Sequence, residues 1–299
     1  MDIKPYQKYV LPGQLDIVTG PGGLPSIRIS NAAATAEICL LGAHVTSYIP
    51  KGQKDVLWMS RNTVYAEGKA LRGGIPVCWP WFGAAPTGAD TSHGYARFVF
   101  WEITSTRSLS QDSTEIIFSL FPSEACPKAW QESFVLTLTV RVGSSLALEL
   151  STRNCGSKAF QVSQAFHTYY QVSDIRNIRI NGFDGLPYHD TVKGRMEAHK
   201  TQQGTICFAA ETDAVFENCS GPAEILDPGF QRKILISKQN SASAVVWNPW
   251  IEKAQQLKMA EEEYLSMVCV ENCNIRSDAQ TILPGNCHTL KAEIQALPR

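Results

Sequence analysis

Short apolar or alternating segments recur along the whole chain, and turn-forming residues separate them. Residues 134–142 alternate apolar side chains with threonine or arginine over most of their length, and Leu146, Leu148 and Leu150 share one face of the next segment. A period of two is typical of β-strands with one buried face. Shorter strand candidates lie at residues 26–30, 37–41 and 115–121. The sequence therefore predicts an all-β protein built from antiparallel strands.

Turn signals rich in glycine, proline and asparagine divide these segments, as in Gly20-Pro21-Gly22-Gly23 and Pro284-Gly285-Asn286. A chain of 299 residues could form two domains, but large β-sandwiches reach this length as one unit. Because no long linker, low-complexity tract or fixed-period repeat divides the sequence, we expect one large antiparallel β-sandwich domain over residues 1–299.

Three local predictions accompany this fold. Residues 98–103 are predicted to form a strand, and the polar residues 104–114 to connect it to the next strand. One longer helix is predicted over residues 250–264, because they follow Asn-Pro and are rich in Ala, Lys, Gln, Met and Glu.

Charge and hydropathy exclude two classes of partner. The formal net charge of −1 does not favour nucleic-acid or membrane-surface binding. No apolar run reaches the roughly 18 residues that a membrane-spanning helix needs. Residues 1–7 lack the basic and apolar regions of a secretory signal, and the nine cysteines are an odd number. We therefore expect a cytoplasmic protein with reduced thiols.

Cysteine spacing offers one candidate metal site. Cys269 and Cys273 are separated by three residues, and Cys287 and His288 follow downstream, which gives four soft ligands. This spacing differs from that of the usual zinc knuckle, and Cys269 lies in an apolar segment typical of a strand. The sequence therefore favours a protein without a metal site.

The segment RGGIPVCWPWFG, residues 72–83, places the fixed positive charge of Arg72 beside two glycines and three aromatic side chains. A guanidinium offers a planar donor fork to a phosphate, glycines allow close backbone approach to a ligand, and tryptophan faces stack on sugar rings. These residues indicate a sugar-phosphate corner. A tight turn that leads into an aromatic core segment explains the same residues equally well.

Two ionisable side chains lie within apolar segments that are typical of strands, namely His167 in QAFHTYYQV and Glu271 in SMVCVEN. A carboxylate buried without a partner is unstable, so Glu271 is predicted at a strand end or in a wet cleft, where it could act as a base. Because imidazole titrates near neutral pH, His167 could share acid and base roles with it. A hydrogen-bonded core histidine and a solvated strand-end glutamate are the alternative interpretations.

The polar loop before residue 98 adds two candidates for ligand binding. Arg97 could complete a phosphate clamp with Arg72, or it could be an exposed arginine at the start of a strand. His93 could contact a ligand or close a turn.

Several motifs together resemble those of the hexose-6-phosphate mutarotases, or glucose-6-phosphate 1-epimerases, of the aldose-1-epimerase superfamily. They are RGGIPVCWPWFG at 72–83, SHGYAR at 92–97, FHTYYQVSDI at 166–175, ETDAVF at 211–216, VVWNPWIEKA at 245–254 and MVCVEN at 267–272. The resemblance implies a galactose-mutarotase-type β-sandwich with an active cleft on one concave face. It also implies interconversion of the α and β anomers of glucose 6-phosphate by acid–base ring opening and reclosure, without a cofactor or metal.

Position by position, the resemblance assigns roles to individual side chains. His167 corresponds to the catalytic acid and Glu271 to the catalytic base. The implied substrate-binding positions are Arg72 and Arg97 for the phosphate, Asp213 for the sugar hydroxyls, and Ser92, where relatives often have glutamine. The family also implies a monomer that acts on a small hexose phosphate.

Three other functions are compatible with the same residues. A non-catalytic carbohydrate-binding protein would use the aromatic and arginine side chains but no acid–base pair. A glycoside hydrolase needs two carboxylates about 5–10 Å apart, which Glu271 and Asp213 could supply. A mutarotase of unphosphorylated aldoses would use the acid and the base without a phosphate clamp.

Overall fold

The computed structural model describes residues 2–192 and 200–298 of the chain. Within these residues it contains 22 strands, which are, in chain order, β1 (Leu15–Thr19), β2 (Pro25–Ser30), β3 (Ala34–Cys39), β4 (His44–Pro50), β5 (Val77–Cys78), β6 (Glu102–Ser110), β7 (Ser113–Leu120), β8 (Phe134–Val142), β9 (Leu146–Asn154), β10 (Phe160–Val162), β11 (Gln164–Phe166), β12 (Tyr169–Gln171), β13 (Arg179–Asn181), β14 (Pro187–Asp190), β15 (Lys200–Thr201), β16 (Thr212–Glu217), β17 (Ala223–Asp227), β18 (Arg232–Gln239), β19 (Ser243–Asn248), β20 (Met267–Asn274), β21 (Gln280–Ile282) and β22 (Cys287–Pro298). The helices of the described ranges are one α-helix, α1 (Trp250–Gln256), and 3₁₀ helices at Lys4–Tyr9, Pro21–Gly23, Ala96–Phe98, Glu263–Ser266 and Arg276–Asp278.

In the described part of the chain, the strands form two eight-stranded antiparallel sheets and two smaller sheets. The front sheet has the order β15-β14-β16-β19-β20-β11-β5, and β12 also pairs with β20. The back sheet has the order β13-β17-β18-β22-β9-β8-β7-β6. Strands β1 to β4 form a four-stranded sheet, and β10 pairs with β21. The predicted all-β, antiparallel fold class is confirmed.

The main core lies between the front and back sheets. Side chains of β8 alternate between buried and half-buried positions, as the period of two predicts. The buried ones, including Leu136 and Leu138, join one apolar cluster with Phe166, Val246 and Val270 of the front sheet. Each fully buried large apolar side chain stabilises the folded state by about 1.5–3 kcal/mol, so this cluster holds the two sheets together.

The other face of the front sheet carries a different set of side chains. Because side chains alternate along a strand, Val270 points into the core whereas its neighbour Glu271 points away from it. Strand pairing places Val245 opposite Glu271, and Asp213 opposite Trp247. These four side chains therefore lie together on the face that points away from the core.

The predicted helix over residues 250–264 is much shorter than expected, because α1 ends at Gln256. Leu257 departs from helical geometry (φ −79°, ψ 0°), and Lys258 and Glu262 adopt left-handed backbone conformations. The chain therefore turns where its composition favours a helix, since tertiary packing overrides a weak local propensity. Among the described residues, no helix combines the length and the apolar character needed to cross a membrane.

Two predictions about residues 98–114 are also wrong. The strand expected from residue 98 begins only at Glu102, after a 3₁₀ helix. The polar residues 104–114, expected to connect two strands, belong largely to β6 and pair with β7. Their polar composition reflects an edge strand that is mostly exposed.

Candidate active site

A cleft of about 590 Å³ opens on the face of the front sheet that points away from the core. This volume falls within the range of small-molecule binding sites. The structure brings together in its lining every side chain that the sequence singled out for the site: Arg72, Ser92, His93, Arg97, His167, Asp213 and Glu271.

His167 and Glu271 lie opposite each other on neighbouring strands. Strands β11 and β12 pair with β20 in one continuous register, in which Phe166 lies against Asn272 and the next residue, His167, lies against Glu271. The pairing with β20 is interrupted at His167, and on the opposite, β5 side of the strand the backbone N–H of His167 donates to the Pro76 carbonyl oxygen (3.1 Å). His167 Nδ1 lies 3.4 Å from Glu271 Oε1.

Burial favours the uncharged form of both side chains. The His167 side chain is 12% exposed and that of Glu271 is 2% exposed. Burial, reinforced by nearby His93 and Arg97, lowers the pKa of His167 well below its usual value. Burial and nearby Asp213 raise the pKa of Glu271 well above its usual value, and Arg97 opposes this rise.

His167 and Glu271 each have a polar atom that is available for a further hydrogen bond. His167 Nδ1 and Glu271 Oε2 are buried atoms without a hydrogen-bond partner among the described residues. Buried polar atoms in folded proteins are nearly always satisfied, and exceptions cluster where a ligand completes the set. The arrangement is therefore suited to receive the hydroxyl groups of a bound molecule.

Aromatic rings restrict the orientation of His167. Its imidazole stacks on the Tyr169 ring, with centroids 4.9 Å apart and planes inclined by 4°. The Trp247 ring meets the imidazole edge-on at 6.1 Å. Trp247 also lines the cleft, and the sequence reasoning gave it no role although it lies in the motif VVWNPWIEKA.

The two glycines after Arg72 serve packing, which agrees with the tight turn that the sequence left open as the alternative to ligand approach. A Cβ on Gly73 (φ 114°) would lie 2.4 Å from the Trp58 carbonyl oxygen. A Cβ on Gly74 (φ 58°) would lie 2.3 Å from the Val45 carbonyl oxygen. Only glycine fits at these contacts, and the tight packing of the following backbone fixes where Arg72 enters the cleft.

The tryptophans of the same motif belong to the core, so the aromatic core segment, the second interpretation left open by the sequence, applies to them. Trp79 is fully buried and donates its indole N–H to the Thr152 hydroxyl (3.0 Å). Trp81 is also buried and donates to the Thr91 carbonyl oxygen (2.9 Å). Among the aromatic residues of this motif, Phe82 is the one that lines the cleft.

Arg97 is held by the loop that precedes it. Its Nη2 donates to the backbone carbonyl oxygen of Ser92 (2.9 Å), and its guanidinium lies 5.2 Å from the centroid of the Phe98 ring. The buried Nε has no hydrogen-bond partner among the described residues. The guanidinium therefore keeps a donor for an anion in the cleft, while Ser92 positions it through its backbone.

His93 occupies a tight turn beside His167. Its backbone is left-handed (φ 57°), and its Nδ1 accepts from the Gly83 N–H (3.4 Å). Its ring lies 5.7 Å from the ring of His167. Burial and the charge of Arg97 lower the pKa of His93 to about 4, so this imidazole is neutral near pH 7. Both sequence interpretations apply, because His93 closes a turn and also lines the cleft.

Asp213 has two cationic neighbours that the sequence reasoning missed. Burial raises the pKa of Asp213, and the positive charges of Lys253 and Arg276 oppose this rise. Both cations line the same cleft. Lys253 lies in the motif VVWNPWIEKA but received no role there, and Arg276 lies outside the quoted motifs. The two come from α1 and from the 3₁₀ helix after β20 and meet Asp213 only in the folded protein.

Two cleft side chains and the fully buried Cys269 next to them have the donor types of a metal site. One donor atom from each of His167, Cys269 and Glu271 lies within 4.8 Å of the others. Within the described ranges, Cys273 and Cys287 take part in no such group. The candidate zinc site of Cys269, Cys273, Cys287 and His288 therefore does not form around Cys269 in the described residues.

A family model for aldose 1-epimerases matches residues 25–295 of the chain. The chain belongs to the aldose 1-epimerase family. The family resemblance inferred from the motifs is thus confirmed, and membership fits a small sugar as the ligand of the cleft.

Relatives of the aldose 1-epimerase agree in sequence and in structure. A Cenchrus ciliaris protein is 32% identical over 295 residues, which cover 95% of this chain and 88% of the relative. An Escherichia coli K12 protein is 34% identical over 249 residues, which cover 83% and 82% of the two chains. Both are provisionally named glucose-6-phosphate 1-epimerase.

Solved structures show the same fold. A Salmonella typhimurium protein, provisionally described as a mutarotase, superposes with a TM-score of 0.88 at 30% identity, over 97% of this chain and 96% of the other. A galactose mutarotase-like protein from Clostridium acetobutylicum superposes with a TM-score of 0.75 at 13% identity, over 95% and 98%. The second similarity shows the fold alone.

Proposed function

We propose that this aldose 1-epimerase is a hexose-6-phosphate mutarotase, which interconverts the α and β anomers of glucose 6-phosphate. The observation that carries the proposal is the 3.4 Å approach of His167 and Glu271 in a cleft that Arg72 and Arg97 also line. A titratable pair beside two guanidinium groups suits acid–base chemistry on a phosphorylated molecule. The names of the plant and bacterial relatives support the same substrate.

In the proposed reaction, ionised Glu271 removes the proton of the anomeric O1 hydroxyl while protonated His167 donates a proton to the ring oxygen. The bond between C1 and the ring oxygen breaks, and the open-chain aldehyde forms. Rotation about the C1–C2 bond presents the other carbonyl face, and ring closure with reversed roles gives the other anomer. A positioned acid or base typically accelerates such a step by about 10²–10⁴-fold.

The pair needs one proton between its two members. In the substrate-free cleft, burial favours neutral His167 and protonated Glu271. Transfer of this proton across the 3.4 Å between Nδ1 and Oε1 produces the imidazolium and the carboxylate that the reaction uses. A phosphate bound at Arg72 and Arg97 offsets their repulsion of the imidazolium, so a phosphorylated substrate itself favours the acid form of His167.

Arg72 and Arg97 hold the substrate phosphate in this proposal, and Asp213 accepts hydrogen bonds from sugar hydroxyls. Ser92 and His93 line the cleft beside Arg97 and contribute to the proposed substrate-binding site. Each charge-assisted hydrogen bond contributes about 1.5–3 kcal/mol. Such contacts favour the sugar phosphate over the free sugar by about one to several orders of magnitude and orient C1 toward the acid and base.

The proposal is tested by NMR exchange between the two C1 anomers of glucose 6-phosphate, with and without the protein. We expect the protein to accelerate exchange and the variants His167→Ala and Glu271→Ala to lose this acceleration. A non-catalytic carbohydrate-binding protein would bind the sugar phosphate without any acceleration, which would overturn the proposal.

Two parallel assays address the other functions. Faster acceleration with free glucose than with glucose 6-phosphate would indicate a mutarotase of unphosphorylated aldoses. Release of reducing sugar from a disaccharide would indicate hydrolysis by a carboxylate pair.

A further inference from the structure

Cys269 has no role in the acid–base reaction although it lies beside it. It precedes Glu271 by two residues on β20, so both side chains point to the cleft-facing side of the front sheet. The Cys269 thiol is fully buried. Its sulfur is one of three donor atoms, with one each from His167 and Glu271, that all lie within 4.8 Å of one another.

These distances are close to those of a zinc site. Zinc binds histidine, cysteine and carboxylate donors at about 2.0–2.3 Å in tetrahedral geometry, which separates the donors by about 3.3–3.8 Å. His167 Nδ1 and Glu271 Oε1 are already 3.4 Å apart. The Cys269 sulfur lies within 4.8 Å of a donor atom of each, and the cleft that His167 and Glu271 line leaves a fourth position for water.

A second observation points to a ligand at this place. His167 Nδ1 and Glu271 Oε2 are buried and lack hydrogen-bond partners within the described residues, and the Glu271 side chain is 2% exposed. An unpartnered buried carboxyl group destabilises the protein, and a cation removes that cost. Imidazole, thiolate and carboxylate together favour a borderline or soft divalent ion over magnesium or calcium.

We propose that the substrate-free cleft binds one Zn²⁺ ion through His167, Cys269 and Glu271, and that the bound ion inhibits the enzyme. Protons held by these side chains pass to the buffer as the metal bonds form. The inhibition by zinc rests on the proposed function. His167 and Glu271 cannot bind the ion and exchange protons with a sugar at the same time. Zinc and the sugar phosphate therefore compete.

The test is calorimetric titration of the full chain with Zn²⁺, compared with Cys269→Ser and with Cys273→Ser. Cys273 is a matched control, since it is buried on the same face of the same strand, two residues after Glu271, but lies outside the donor group. Loss even of groups that only orient metal ligands costs about 10–100-fold in affinity. We expect Cys269→Ser to weaken binding at least about tenfold and Cys273→Ser to match the wild type; equal affinities in all three proteins would overturn the proposal.

A second measurement uses the wild-type chain and does not depend on a variant's folding. Co²⁺ in place of Zn²⁺ should give a sulfur-to-cobalt charge-transfer band that saturating glucose 6-phosphate removes, at a free metal concentration fixed by a metal buffer. The exposed Cys155, Cys207 and Cys287 would give a band that the sugar phosphate leaves unchanged, and a band of that kind alone would overturn the proposed site.

Failure of this site and failure of the proposed function are distinguishable. Cys269-dependent metal binding in a protein without mutarotase activity would support the site and reject the proposed function. Mutarotation that persists at Zn²⁺ concentrations that fill the site would keep the function and overturn the inhibition.

Discussion

His167 Nδ1 lies 3.4 Å from Glu271 Oε1, and the two side chains meet at a break in the strand ladder between β20 and the row formed by β11 and β12. On the other side of the strand, toward β5, the backbone N–H of His167 donates to the Pro76 carbonyl oxygen. Register alone places the pair in contact, although the two residues are far apart in sequence. The front sheet therefore presents an imidazole and a carboxyl group side by side.

Replacement of either member should abolish most of the acceleration while leaving the fold intact. We expect Glu271→Gln and His167→Ala each to lower kcat for glucose 6-phosphate by about 10²–10⁴-fold. Glu271→Gln removes a buried ionisable group whose Oε2 lacks a partner in the described structure, so its melting temperature should equal or exceed that of the wild type. NMR exchange measures kcat, and thermal unfolding measures the melting temperature. Glu102→Gln, at an exposed position, is the control.

Substitution of Arg72, which we propose holds the substrate phosphate, should affect phosphorylated and free sugars differently. Arg72→Lys keeps the charge but loses the planar donor fork, so kcat/KM for glucose 6-phosphate should fall at least about tenfold while that for glucose hardly changes. Polarimetry of both freshly dissolved sugars measures the two values. Arg28→Lys is a matched control, because Arg28 is exposed and pairs with Glu37 away from the cleft. A similar fall with both sugars would contradict phosphate binding by Arg72.

The strand pattern and the pair His167 and Glu271 could be predicted from local signals, whereas Asp213 and Ser92 followed only from the family resemblance. The alternating pattern over residues 134–142 has the same bounds as the observed strand β8 (Phe134–Val142). His167 and Glu271 stood out because ionisable side chains are costly in apolar strands unless a partner or cavity receives them. Their spatial contact depends on strand register, which no local pattern determines.

The sequence left alternatives open, or missed residues, where the outcome depended on tertiary neighbours. Trp79 and Trp81 have the chemistry to stack on a sugar, yet their indole N–H groups bond inside the core. Gly73 permits close approach, but the approaching group is backbone and not a ligand. Lys253 and Arg276 reach the cleft from separate elements, so only the fold reveals them.

The charge of Arg97 should control the protonation of the acid. Burial is the largest cause of the low pKa of His167, and His93 and the charge of Arg97 lower this pKa further. We therefore expect the ring resonances of His167 to titrate at higher pH in Arg97→Gln than in the wild type. NMR titration of the histidine rings measures this shift. Bound glucose 6-phosphate should shift the wild-type titration in the same direction, since its phosphate offsets the same charge.

A titration of His167 that is identical in the wild type and in Arg97→Gln would contradict this electrostatic coupling. Arg176→Gln is a suitable control, because Arg176 forms an exposed pair with Asp174 and is not among the residues that line the cleft. It should leave the titration unchanged.

Acid should destabilise the protein through His44, which is fully buried behind Arg72 and contacts the Gly73 carbonyl oxygen through Nε2 (2.7 Å). Burial lowers the pKa of His44 from 6.5 to about 4, with Arg97 acting in the same direction and the bond to Gly73 opposing it. The unfolded chain therefore binds more protons than the folded chain between these two values. The free energy of unfolding is retained above pH 6.5 and falls as the pH drops through that window toward about 4.

The variant His44→Gln isolates this effect, because the amide can still donate to the Gly73 carbonyl oxygen but does not titrate. At about 1.4 kcal/mol for each unit of pKa shift, His44 accounts for a loss of about 3 kcal/mol in the wild type between pH 7 and pH 4. We expect the variant to start less stable at pH 7, owing to imperfect packing, and to lose about 3 kcal/mol less on acidification. Urea unfolding at both pH values measures the difference. If the wild type and His44→Gln lost the same free energy of unfolding on acidification, His44 would be protonated in the folded state without cost. The contact between His44 and Gly73 would then not be acid-sensitive.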